Sequence, residues 1–86
     1  MVYVDNMRIQ YGNMVMCHMV ADTEEELHTL AARLGLKREW FQPGNNSLPH
    51  YDISMSRRRM AVQLGAREIT AMEIGKMNLT HAQRQV

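Results

Sequence analysis

Two periodicities divide the chain. Asp22 to Lys37, DTEEELHTLAARLGLK, sets Leu27, Leu30, Ala31 and Leu34 along one face at helical spacing. Thr23 and Glu26 fit a capping box, with Asp22 as an alternative cap; acids fill the first turn, and Gly35 supplies a C-terminal stop. The pattern predicts a helix from Thr23 to Leu34 with those four apolar residues turned inward. VYVD, from Val2 to Asp5, and MVMCHMV, from Met14 to Val20, are instead short β-prone runs. The second has apolar residues on both faces, which predicts a buried strand. NMRIQYGN between them carries Gly12 and two asparagines, which suits a turn with a short strand around Arg8 to Tyr11.

Beyond the helix, EWFQPGNNSLP reads as a loop in which Trp40 and Phe41 fold back onto the core while PGNNS turns in solvent. HYDI reads as a strand, and Ser54 or Ser56 caps a helix with Met60, Ala61 and Leu64 as its buried face and Gly65 at its end. REIT is a further strand, followed by a short helix over Ala71 to Lys76 and a polar tail over about 78–86. Strands alternating with helices predict an α/β fold: a small three- to four-stranded, partly parallel sheet with two main helices and a short C-terminal helix.

Length and charge narrow the partners. Eighty-six residues suit a single small α/β domain over 1–86, with no material for a second core. The formal charge of +1 gives no global attraction to nucleic acid, so nucleic acid is not a favoured partner and any basic patch is local. No apolar stretch approaches the roughly 20 residues that cross a bilayer, so no membrane partner is expected. A single cysteine, Cys17, with no signal-peptide pattern, points to a cytoplasmic protein. Nine methionines are scattered rather than clustered, as packing residues are. A core this small leaves apolar surface that a homodimer would cover.

The candidate chemistry centres on LPHYDIS, Leu48 to Ser54. In an extended segment His50 and Asp52, two apart, project to one face, where they can act as general base and orienter or ligate a divalent metal. The structural alternative is that Asp52 caps the next helix and His50 bonds a backbone carbonyl. Ser54 and Arg58 would complete an anion site at the strand-to-helix junction, with Asp5 and His28 as further ligand-binding candidates. Three arginines, Arg57 to Arg59, in the first turns of a helix oppose its dipole, which a bound phosphate would offset; pairing with acids such as Asp52 is the alternative. His18, His28 and His50 would supply a metal's ligands if they converge with Asp5 or Asp52, although no strong metal signature such as HExxH is present. Met14, Met16 and His18 face opposite to Cys17 and Met19 on a strand, so this run is read as core packing rather than a copper site.

The blocks YVDNMR, HMVADTEEELHTLAARLGLKREWFQ, PHYDIS and the RRxxAxxLGA pattern from Arg58 to Ala66 resemble, together, the domain of unknown function 4031 family of short bacterial and phage proteins. Asn6 and Met16 depart from that pattern, which often has a second acid and an aromatic residue there. The resemblance implies a compact stand-alone domain and no particular activity. Two functional classes follow. One is a small domain that binds or hydrolyses a phosphorylated or nucleotide-like anionic molecule, with His50 and Asp52 as catalytic pair or metal ligands and Arg58 as anion clamp. The other is a non-catalytic phage or bacterial accessory module that binds a protein or nucleic acid. Convergence of the histidines on one concave surface discriminates them.

Overall fold

The computed structural model describes residues 1–44 and 48–84, with side chains as far as Met77 in the last helix. Its elements are β1 (Val2–Val4), β2 (Ile9–Tyr11), β3 (Met14–Ala21), α1 (Glu24–Arg33), a 3-10 turn (Arg38–Trp40), β4 (Tyr51–Ser54), α2 (Met55–Gln63), β5 (Arg67–Glu68) and α3 (Ala71–Arg84). The fold is α/β, as the alternation of patterns predicts, but the sheet has five strands rather than three or four.

β3 is the long central strand. Its second half pairs antiparallel with β1 on one edge, its first half with β2 on that same edge, and Met16 to Met19 pair antiparallel with β4 on the other. β5 then adds to β1 in parallel, the one parallel pair among the described strands. Between β1 and β2 the register breaks: Val4 lies opposite Met19 and Ile9 opposite Met16, so five steps on one strand match three on the other. The extra residues fall within Asp5 to Arg8, and such a bulge re-aims side chains where it occurs.

Alternation along the strands separates two faces. Val2, Val4, Cys17, Met19, Tyr51 and Ile53 form the main core with α1 and α2. On the opposite face Val20 packs with Ile69 and Ile74 beside the start of α3. The first helix forms as its pattern predicts: Thr23 caps it, accepting from the Glu26 N–H, and Leu27, Leu30, Ala31 and Leu34 are all buried. Gly35, at φ 76, takes the left-handed stop.

Four expectations are corrected. Met60 and Leu64 are exposed rather than buried. The inward stripe of α2 is instead Met55, Arg58, Ala61 and Val62, so an arginine stands where an apolar residue would have revealed the face. Phe41 packs on the core, but Trp40 stays 45% exposed, with the Lys37 ammonium over its ring. The last helix continues to Arg84, past the Lys76 at which the sequence pattern ends it. The solvent turn expected at PGNNS falls largely on 45–47, outside the described residues. No helix among the described residues is long and apolar enough to cross a membrane.

Candidate functional site

His18 on β3 lies directly opposite Asp52 on β4. His50, just before β4, exchanges both backbone hydrogen bonds with Gln42, so its N–H and C=O point away from β3. By alternation those of Asp52 do the same, and His18 and Asp52 form a non-hydrogen-bonded pair, the closer of the two pair types for side chains. His50, Asp52 and His18 therefore converge on the face opposite the main core. His18 Nε2 stands 3.8 Å and His50 Nε2 3.7 Å from Asp52 Oδ1, and the two rings meet edge to face at 5.3 Å. One ligand atom from each of the three lies within 4.8 Å of the others, which makes the trio a group of metal-ligand geometry.

Each member is held from behind. His50 Nδ1 donates to the Leu48 carbonyl at 2.9 Å. His18 Nδ1 donates to Asp5 Oδ2 at 2.8 Å, and Asp5 is fully buried. Nδ1 is thus the donor in both rings, which turns both Nε2 atoms toward Asp52. Asp52 Oδ2 accepts from Gln42 Nε2 at 2.8 Å and, at 3.5 Å, from the Tyr11 hydroxyl. Its other oxygen, Oδ1, is buried with no hydrogen-bond partner among the described residues. Ligating histidines are commonly oriented in this way, by a carboxylate or carbonyl on the far nitrogen.

Asp5 is fixed by the register break. Its N–H donates to the His18 carbonyl at 3.1 Å, but the reciprocal His18 N–H is taken by the Asp5 side chain, Oδ1, at 2.9 Å. Met7 N–H adds a 3.3 Å bond to Oδ1. The Asp5 carbonyl, freed from the ladder, accepts from Arg58 Nε at 2.8 Å, and Arg58 Nη1 pairs with Glu68 at 3.0 Å. Asn6 beside it accepts from the Ala71 N–H at the first turn of α3.

The sequence candidates thus divide. His18, His50 and Asp52 come together, and Asp5 stands behind His18. Arg58 is not beside His50 and Asp52 but braces the Asp5 backbone, and it pairs with Glu68 rather than Asp52. Ser54 caps α2, accepting from the Arg57 N–H at 3.3 Å and contacting Ser56. His28 does not join the other histidines: on α1, under the main core face, its Nδ1 meets the Tyr51 hydroxyl at 2.9 Å and its ring abuts Phe41. Gln42 and Tyr11 escaped the sequence reading because they reach Asp52 only through the pairing of distant segments, and no local pattern marks them.

Cys17 faces the main core, and its thiol is pushed up to about 12, first by burial and then by the Asp5 charge. A thiol held protonated is a poor metal ligand, which sets Cys17 apart from the site. Burial also raises the Tyr51 phenol, keeping it neutral beside His28.

No curated protein and no solved structure matches the chain. A family model described as protein of unknown function (DUF4031) does match, over residues 2–81, a span that takes in every residue of the His18, His50 and Asp52 cluster and its supports. The chain belongs to the DUF4031 family.

Proposed function

We propose that this domain binds a divalent metal ion of the zinc class through His18, His50 and Asp52 and uses it to hold an oxygen of an anionic ligand. The observation that carries this is the buried Asp52 Oδ1, without a hydrogen-bond partner among the described residues and faced by two imidazole nitrogens at 3.7 and 3.8 Å. Those separations are too long for hydrogen bonds. A buried oxygen left in that state costs free energy, about 1–3 kcal/mol, more when charged. Around one tetrahedral ion with bonds of about 2.0–2.2 Å, neighbouring ligand atoms lie roughly 3.3–3.6 Å apart, so a small inward movement closes the site.

Two imidazoles and one carboxylate leave coordination open to water or an anion, as catalytic zinc sites do, and the same set suits Fe(II). A divalent ion with one carboxylate ligand keeps a net positive charge, which favours an anionic oxygen at the open position. A phosphorylated small molecule fits that demand, and activation of bound water at such an ion is the route from binding to hydrolysis. Arg58 takes no part as a clamp in this reading; its role is to steady Asp5. Protein stripped with EDTA and titrated calorimetrically with zinc, cobalt or manganese should take up one ion per chain. Absence of binding heat and of any change in melting temperature with all three would remove the reading in favour of an accessory module.

A further inference from the structure

A cavity of about 370 Å3 adjoins the cluster through Asp52 and its partner Gln42, while neither His18 nor His50 lines it. Its other walls are mostly apolar, formed by Met14, Met16, Leu36 and Trp40, and Arg57 contributes a cation. Met14 is 47% and Trp40 45% exposed, so neither side chain is spent on the core. Arg57 is anchored by its Nε, which donates to the Leu34 carbonyl at 3.2 Å, and it forms no ion pair among the described residues. Anchoring through Nε leaves the terminal nitrogens of the guanidinium for a bidentate contact with a carboxylate or phosphate.

From this arrangement we infer that this cavity, which meets the site at Asp52, takes a planar apolar body bearing one carboxylate or phosphate. The volume falls in the usual range of small-molecule pockets, about 300–1,000 Å3. Flexible thioethers and an indole supply a face for an aromatic ring, and Arg57 supplies the counter-charge. The Asp52 carboxylate opposes an anion while it is bare. An ion on Asp52 reverses that field, so metal and anion should bind cooperatively, each raising the affinity of the other by the same factor. This coupling rests on the metal reading; the pocket and Arg57 stand apart from it.

The test is calorimetry with 1-naphthyl phosphate and 1-naphthoate as the two anion types and 1-naphthol as the uncharged control, on EDTA-treated and zinc-loaded protein. Either anion is expected to bind at least tenfold more tightly than naphthol, to weaken at least tenfold in Arg57→Gln and Trp40→Ala, and to tighten several-fold on zinc loading. Arg57→Lys, which keeps the charge but loses the anchor at Leu34, should fall between wild type and Arg57→Gln, with circular dichroism confirming the fold of each variant. Zinc uptake with no saturable binding of either anion at millimolar concentration overturns the pocket and leaves the metal reading intact, as does naphthol binding as well as the anions. Anion binding that needs Arg57 in a protein with no affinity for zinc, cobalt or manganese supports the pocket and removes the metal reading.

Discussion

Asp5 and His18 are joined by three hydrogen bonds, of which only one follows the β-ladder. The Asp5 N–H reaches the His18 carbonyl as an antiparallel pair requires, while the Asp5 carboxylate takes both the His18 N–H, at 2.9 Å, and Nδ1, at 2.8 Å. A side chain thus replaces its own carbonyl in the ladder, and that carbonyl goes to Arg58 Nε. The replacement satisfies every buried group involved while locking the imidazole with Nε2 turned toward Asp52.

Asp5→Asn tests that lock. The amide oxygen can still accept the two backbone N–H groups, but its NH2 would face Nδ1 of His18 and favour the tautomer with the proton on Nε2. Zinc affinity is expected to fall about 10- to 100-fold. Calorimetry alongside far-ultraviolet circular dichroism separates lost affinity from lost fold; unchanged affinity in a folded variant would remove the orienting role.

His18→Ala, His50→Ala and Asp52→Asn should each abolish tight metal uptake, whereas His28→Ala should leave it unchanged because His28 sits on the other side of the sheet with Tyr51. Cobalt absorption spectra in the visible range give the readout. A cobalt spectrum that persists in His50→Ala, or disappears in a folded His28→Ala, would contradict the assignment.

Leu30→Ala should destabilise the domain by about 2–5 kcal/mol, the usual range for a buried leucine whose cavity does not collapse. Leu30 is 7% exposed and points with Leu27 and Ala31 into the main core. Chemical denaturation of the two proteins measures the difference; a loss below about 0.5 kcal/mol would place Leu30 outside the core.

Cys17 carries a pH signature. Its thiol is raised from 9.0 to about 12 in the folded chain, so folding favours the protonated form. That contribution to stability is complete below pH 9.0 and is lost as pH rises from there toward 12. Tyr3 and Tyr51 are shifted upward too and act in the same direction. Denaturation midpoints should therefore fall above pH 9, less steeply in Cys17→Ala. At pH 8 an aromatic disulfide reagent should label native Cys17 far more slowly than the unfolded chain; equal rates would show the thiol to be accessible.

What the sequence determined by itself was local. α1 is legible because cap, acidic first turn, apolar stripe and glycine stop lie within one segment and agree, and helical contacts join residues three and four apart. The pairing of His50 with Asp52 on one face followed from strand alternation in the same way, and the opposite facing of His18 and Cys17 from alternation within β3. The buried face of α2 was misread for a local reason as well: Arg58 occupies the stripe, and hydrophobicity alone does not reveal a long, part-buried side chain that reaches a carbonyl and a surface carboxylate.

Tertiary structure decided which histidine completes the pair. Nothing in the spacing of His18 and His28 favours one over the other as partner to His50 and Asp52, because the choice depends on which strands pair and in what register. β3 aligns His18 with Asp52, while α1 carries His28 beneath the sheet to Tyr51. The break between β1 and β2 then turns Asp5 onto His18. A shift of one residue in either register would send these side chains to the opposite face, and that register is held by the whole buried pattern of the sheet rather than by any segment of the chain.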